Sequence, residues 1–271
     1  MKIKVLEKDE KAIKLLIEDA PLAFVNAIRR LAISDVPTLA IDEVTFLDNT
    51  SVLYDEIIAH RLGLIPLTTD LERFKPPEEC EGADPMTNPE CYVRLFLDVE
   101  AERDGTIIYS GDLKSEDPTV KPVYDKIPIV VLSKGQKLTF EAYARLGRGK
   151  EHIKWSPVTV SAHKYVPKLK INFENCDLCG KCVKVCPKGV LEIKDNKLTI
   201  KDILSCTLCR VCEEVCDRNA IKVSWAENSF ILTIESTGAL PPEKIVLEAA
   251  KILYKKAEEM EKLIEEVTGG E

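Results

Sequence analysis

The apolar positions fall into blocks of different period. Near the N-terminus Ile3 and Val5 alternate with charged neighbours, and Ile13, Leu15 and Ile17 alternate again, which predicts a two-stranded hairpin turned at Lys8 to Lys11. Asp19 and Pro21 are helix-start signals. Phe24, Ile28 and Leu31 then recur at helical spacing with Val25 and Ala32 beside them, and Pro37 ends the pattern. The polar face of this helix carries Asn26, Arg29 and Arg30. Toward the other end, Asn228 to Glu235 reads as a strand and Thr237 to Pro242 as a turn into a long helix. On that helix Val246, Ala249, Leu253, Met260, Leu263 and Val267 fall at coiled-coil spacing, widened by Ile252, Ala257 and Ile264. Glu258, Glu259, Glu261 and Lys262 form its solvated side. A helix of about 25 residues with an apolar stripe to its end offers more surface than one small sheet covers, so the pattern predicts a partner helix.

The length of 271 residues allows two or three domains. Apolar residues at 45% and charged ones at 31% are ordinary globular usage, so the chain is expected to fold. A net charge of -8 argues against a protein whose main task is gripping a phosphate backbone, and no direct DNA contact is expected. The longest apolar run, Ile127 to Leu132, is far short of the ~18 residues of a membrane span and contains Pro128. The N-terminus has scattered charges and no apolar block, so no secretory signal is visible and a reducing cytoplasm is expected. In that compartment clustered cysteines are metal ligands or catalytic groups before they are a disulfide scaffold.

Eight of the ten cysteines form two runs: Cys176, Cys179, Cys182, Cys186 and Cys206, Cys209, Cys212, Cys216. Each run is C-x2-C-x2-C-x3-C. At an offset of 30 they align at every cysteine, at Leu178/Leu208 and at Val185/Val215, an internal duplication. Three closely spaced thiolates can present three sulfurs to one iron cubane from a tight loop, while the fourth reaches the other cluster. The spacing predicts two [4Fe-4S] clusters, one of them open to a [3Fe-4S] or partly occupied state. Cys176, Cys179, Cys182 and Cys216 are assigned to the first, and Cys206, Cys209, Cys212 and Cys186 to the second. A pair of four-cysteine zinc sites is the alternative, though such sites set two pairs apart instead of three cysteines in one loop. The stretch from Lys164 to Trp225 resembles bacterial-type two-cluster ferredoxins, with short strands expected at Val190 to Ile193 and Ile221 to Val223. It departs from that pattern at Asp217, where the first run has Pro187. Cys80 and Cys91 lie in a Pro-rich stretch, Pro76 to Cys91, expected to be a surface loop with two free thiols.

Catalytic readings fail. Asp55 and Glu56 precede His60 and Arg61 in a helical pattern, adjacent carboxylates there cannot face one reacting centre, and no nucleophile pattern accompanies His60. The GRGK at Gly147 to Lys150 lacks the spacing of a phosphate loop and reads as a turn. His152 and Trp155 beside Lys154 could stack on a nucleic acid, but a packed tryptophan at a domain junction is the better account. Residues 164–225 carry 12 Lys/Arg against 8 Asp/Glu, with no clustered basic stripe.

The segment Ala40 to Leu67, with NAIRR at Asn26 to Arg30 and GRGKEHIKWSPV at Gly147 to Val158, closely resembles the D-type subunits of archaeal DNA-directed RNA polymerase. That family is similar to the third subunit of eukaryotic polymerase II and to the bacterial alpha N-terminal domain. The resemblance covers essentially the whole chain and implies an α+β fold: an alpha-like dimerisation domain (1–43 and 226–271) split by a mainly β insert domain (44–163) and the ferredoxin-like iron-sulfur domain (164–225). It implies a non-catalytic assembly subunit of a DNA-directed RNA polymerase, a nucleotidyltransferase active in transcription. Its partners would be a small alpha-like polymerase subunit of the L type as heterodimer, the large catalytic subunits, and small accessory subunits. The aspartate-rich magnesium loop of polymerases, resembling DFDGD, is absent, so catalytic residues are not expected here. The expected interface comprises Phe24, Ile28, Arg29, Arg30, Leu31, Val246, Ala249, Leu253 and Met260. The clusters would then have a structural or regulatory role. The rival reading is a ferredoxin-type electron carrier or oxidoreductase subunit; it explains the eight cysteines alone, and no G-x-G-x-x-G motif accompanies them.

Overall fold

The computed structural model describes residues 1–80, 82 and 84–268. Glu81 and Ala83 of the Pro-rich stretch, and the last three residues of the segment expected at 226–271, lie outside the described residues. The chain begins with a hairpin of β1 (Lys2–Lys8) and β2 (Ala12–Glu18). Asp9 turns it: its Oδ1 accepts from the backbone N–H groups of Lys11 at 2.8 Å and Ala12 at 2.7 Å. Helix α1 (Leu22–Ser34) follows, then β3 (Pro37–Asn49). Next come α2 (Asp55–Gly63), β4 (Tyr92–Glu100), β5 (Thr106–Tyr109), β6 (Lys114–Ser115), β7 (Pro128–Leu132), β8 (Lys137–Arg148) and β9 (Val158–Ile171). The cysteine region holds α3 (Lys181–Val185), β10 (Leu191–Lys194), β11 (Lys197–Ile200) and α4 (Val211–Glu214). The chain closes with β12 (Ile221–Ser236) and α5 (Pro242–Thr268).

Two compact units emerge. The first takes Met1–Leu6, Leu15–Val25 and His163–Leu232. It holds most of a sheet in the order β1-β2-β12-β9 and the two-stranded β10-β11 ribbon. Leu191 pairs Ile200 and Lys194 pairs Lys197 in that ribbon, and Asp195 and Asn196 both take positive φ at its two-residue turn. The strand expected at Ile221 to Val223 and the one expected at Asn228 to Glu235 are a single strand, since β12 runs for 16 residues. Ser224 to Glu227, which lie between the two expected strands, stay extended within the sheet.

The second unit takes Glu7–Lys14, Asn26–Ala162 and Thr233–Glu271. Its centre is a sheet in the order β3-β8-β4-β6, where β3 and β8 pair from Pro37↔Arg148 to Asn49↔Leu138. Alternation in β8 puts Leu138, Phe140, Ala142 and Ala144 inside, and these join Leu39, Ile58, Leu62, Leu95, Ile129 and others in one apolar core. Helix α2 places Asp55 and Glu56 in its first turn and His60 and Arg61 in its last, the arrangement its dipole favours.

Candidate metal centre

The sequence duplication is written into the backbone. Positive φ occurs at Leu178 and Leu208 (59° and 60°), at Gly180 and Arg210 (73° and 62°), and at Gly189 and Asn219 (58° and 50°). Each pair is separated by the same offset of 30 as the cysteines. The left-handed residue at Gly180 or Arg210 caps the start of α3 or α4 and turns the chain around the preceding cysteines. Asx turns recur at the same offset: Asn172 Oδ1 accepts from Glu174 N and Asp202 Oδ1 from Leu204 N, each at 3.0 Å.

The eight cysteines divide between two cavities. One, of about 210 Å³, is lined by Cys176, Cys179, Cys182 and Cys216 with Asp177, Lys181, Asp217 and Arg218. The other, about 20 Å³, is lined by Cys186, Cys206, Cys209 and Cys212 with Lys188 and Arg210. In each case three thiols come from one run and the fourth from the other run. Backbone N–H groups point at sulfur: Val190 N to Cys186 Sγ at 3.4 Å, Leu208 N to Cys206 Sγ at 3.5 Å, Ala220 N to Cys216 Sγ at 3.2 Å. Among the described residues no three His, Cys, Asp or Glu side chains converge closely enough to hold one metal ion. Thiols spread around a cavity suit a multi-atom cluster better than one zinc.

The donor set has the chemistry of a cation site. Cys212 is pushed up to about 11, first by burial and then by the neighbouring sulfurs of Cys186, Cys206 and Cys209. Cys182 is pushed up too, by burial first, with Cys176 and Cys179 adding to it. Thiolates gathered around one cavity repel one another until cations neutralise them. Cys182, Cys206 and Cys212 are buried, whereas Cys179 and Cys209 at the loop tips are exposed. Lys164 Nζ donates to the carbonyls of Leu204 at 2.6 Å and Cys206 at 3.0 Å, fixing the loop that enters the second run.

The remaining two cysteines are a correction. The described residues of Pro76 to Cys91 are mostly exposed, as expected of a surface loop, but Cys80 and Cys91 are not free thiols: they are bonded to each other, Cα to Cα 5.6 Å, and both are buried. The base of their loop is closed by Lys75 N to Glu90 O at 2.9 Å and by the Lys75–Glu90 ion pair at 2.5 Å, which holds Cys91 opposite Cys80.

The motifs that invite catalytic readings serve packing. GRGK is not wholly a turn: Gly147 and Arg148 end β8, paired with Thr38 and Pro37, and only Gly149 and Lys150 turn; a Cβ on Gly147 would lie 2.3 Å from the Trp155 ring and one on Gly149 2.0 Å from the Ile33 carbonyl. Trp155 is buried, donates Nε1–H to Arg145 O at 3.2 Å, and carries Arg145 and Lys154 over its ring at 4.5 and 4.3 Å. Asp42 accepts from both of those cations, at 2.7 and 2.6 Å. Arg61 of α2 donates to Ile129 O at 2.6 Å.

The expected interface residues separate into two groups. Ile28, Leu31 and Ala249 are buried within the chain's own fold, and Phe24, Arg29, Val246 and Leu253 are half-buried. Arg29 is engaged locally, donating to Asn26 Oδ1 at 3.1 and 3.0 Å, while Arg30 is exposed. The outer part of α5 is different: every residue from Tyr254 to Thr268 is exposed, among them Met260 at 63%, Leu263 at 61%, Ile264 at 49% and Val267 at 82%. Near its middle Lys256 Nζ pairs with Asp35 Oδ1 at 2.7 Å.

Residues 14–257 match the family described as the RNA polymerase Rpb3/Rpb11 dimerisation domain. The chain belongs to this family. Relatives within the Rpb3/Rpb11 family resemble it over their whole length. The DNA-directed RNA polymerase subunit Rpo3 of Methanosarcina acetivorans is 45% identical over 98% of this chain and 99% of its own. That of Archaeoglobus fulgidus is 44% identical over 98% of both, and that of Aeropyrum pernix 39% identical over 98% of this chain and 96% of its own. Rpo3, the Rpb3-like subunit, thus replaces the D-type designation suggested by the sequence motifs. No helix among the described residues is long and apolar enough to cross a membrane.

Proposed function

We propose that this chain is the non-catalytic assembly subunit of a DNA-directed RNA polymerase. It heterodimerises with a small alpha-like subunit, and the pair forms the platform on which the large catalytic subunits dock. The observation that carries this reading is likeness to Rpo3 subunits over 98% of the chain, cysteine region included. The exposed outer half of α5 supports it: Met260, Leu263, Ile264 and Val267 form an apolar stripe of the kind a partner helix covers. The electron-carrier reading explains the cysteines and leaves the other two hundred or so residues of this match without a role.

The cysteine cages fit two [4Fe-4S] clusters, the first held by Cys176, Cys179, Cys182 and Cys216, the second by Cys206, Cys209, Cys212 and Cys186. When bound, each cluster supplies metal–thiolate bonds and a one-electron redox centre. The chain's own contribution is to orient the sulfurs with left-handed turns, to donate N–H groups to Cys186, Cys206 and Cys216, and to bury Cys182 and Cys212 away from water.

Coexpression with the small alpha-like subunit tests the reading. The expected result is a stable heterodimer that binds the large subunits when they are coexpressed with it, with about eight irons per chain after anaerobic purification, four for each predicted cubane. Leu263→Glu is expected to abolish the heterodimer without lowering the thermal stability of this chain, because Leu263 is 61% exposed. A monodisperse monomer that ignores the small subunit sinks the assembly reading, and zinc in place of iron and sulfide sinks the cluster reading.

A further inference from the structure

The two cysteine cages are related by the duplication yet walled differently. The first carries two cations and two anions, paired as Lys181–Asp217 and Arg218–Asp177 (the latter at 3.7 Å). The second has Lys188 and Arg210 in its wall and no carboxylate. Behind its entering loop Lys164 faces Asp202, so that pair leaves the balance of the second wall unchanged. Among the described residues neither Lys188 nor Arg210 forms an ion pair with a carboxylate; the Arg210 guanidinium lies 5.8 Å from the Trp225 ring.

Arg210 is also one of the residues held in the left-handed region. Its φ is +62°, and the equivalent position in the first run is Gly180 at +73°. A left-handed residue between the second and third cysteines is what the loop requires, and glycine meets that requirement without the Cβ penalty. An arginine where its twin has glycine accepts a conformational cost that a favourable side-chain interaction would offset.

We propose that Arg210, with Lys188, makes the Cys186/Cys206/Cys209/Cys212 cluster the more easily reduced of the two, so that an electron given to the pair rests there. Arg210 is a positioning residue in the electrostatic sense: it touches no sulfur, and its charge favours the more negative, reduced state of the cluster beside it. Each reduction transfers one electron from a one-electron donor to a cluster, with no bond made or broken. The inference rests on the cluster reading above and goes beyond it by ranking the sites.

The test is a potentiometric titration of the anaerobically purified heterodimer with dithionite, followed by electron paramagnetic resonance and accompanied by iron and sulfide analysis. The wild type is expected to show two reduction waves. Arg210→Gly places in the second run the residue its twin already uses, so the loop is expected to fold at least as well and hold the same iron. Its upper wave should nevertheless move down toward the lower one, which stays in place. Arg210→Lys should restore most of the separation, and added salt should narrow the wild-type gap because Arg210 is exposed. An unmoved upper wave, an equal shift of both waves, or loss of iron in Arg210→Gly overturns the proposal while leaving the clusters standing. A wild-type chain without iron and sulfide overturns the cluster reading and this ranking together.

Discussion

The core around Phe140 contains twenty-two buried apolar side chains from β3, α2, β4, β7, β8 and their connections, with no cysteine among them. The core of the cysteine lobe contains six, and two of these, Cys182 and Cys212, are proposed ligands; the others are Leu191, Leu198, Ile221 and Val223. At about 1.5–3 kcal/mol per buried large side chain, the first set can offset the conformational entropy of its strands, and four aliphatic residues cannot do so for a lobe built largely of loops. On the proposed cluster reading the sources of order differ: apolar burial in the second unit, ligand bonds in the lobe. The same reading accounts for the left-handed residues on both cysteine loops, since bound clusters would hold the turns that bring the thiols together.

Breaking the lobe alone is the largest expected effect. Replacing Cys179 and Cys209 by Ser removes one ligand from each cage at the exposed loop tips, where the loss of packing is small. We expect hydrogen-exchange protection from Asn172 to Ala220 to collapse, a loss on the order of 10 kcal/mol if the clusters act like structural metal sites. Protection in β3 and β8 should persist. Undiminished protection of β10 and β11 would mean that the small apolar core suffices.

The reciprocal experiment is Phe140→Ala, which truncates one of the largest fully buried side chains of the second unit. A cost of about 3–5 kcal/mol is expected, read from urea unfolding in a Trp225→Phe background so that Trp155 reports that unit. The iron content of the lobe should be unchanged. Loss of iron from Phe140→Ala would show that the two sources of order are not separate.

The disulfide gives a smaller effect within the second unit. Cys80 and Cys91 are 11 residues apart, and closing a loop of that size contributes at most about 3 kcal/mol through the unfolded state. Cys80→Ser should lower the unfolding midpoint modestly and expose Pro76 to Cys91 to protease, with the Phe140 core intact. Protease resistance equal to that of the wild type would make Lys75–Glu90 the true closure of the loop.

The same contrast bears on what the sequence could reveal. The grouping of three cysteines of one run with the fourth of the other was legible because the C-x2-C-x2-C-x3-C spacing repeats at a fixed offset. The terminal hairpin, α1 and α5 were legible because their apolar period is sustained. What stayed hidden depends on residues distant in sequence. The Cys80–Cys91 bond joins two cysteines that spacing alone does not pair, the tightness of Gly147 depends on the Trp155 ring, and β12 on neighbours that keep Ser224 to Glu227 extended. The α5 stripe predicted a partner surface without showing that Ala249 is used within the chain and Met260 is not. The charge asymmetry of the cages was available in the alignment of Gly180 with Arg210, and only the cavity walls gave it meaning.

The smallest effect is electrostatic and again separates the two regions. Burial by itself would push the Asp42 carboxyl up, but the hydrogen bonds and charges of Lys154 and Arg145 outweigh it and hold Asp42 below its ordinary 3.8. A folded-state value below the unfolded one means that this network's contribution is present above the unfolded pKa and is lost as pH falls through the folded one. The second unit should therefore lose stability below about pH 4, and Asp42→Asn, which costs about 2 kcal/mol near neutrality, should converge on the wild type as the acid limit is approached. In the lobe, Asp177 and Asp202 are also held below 3.8, Asp177 mainly by Cys179 and Asp202 mainly by the Ser205 hydroxyl, but both sit on fully exposed loops. Water screens them, so Asp177→Asn should leave the acid profile of urea unfolding unchanged. A profile that follows Asp177 and ignores Asp42 would reverse the assignment of the acid-sensitive network to the buried side of Trp155.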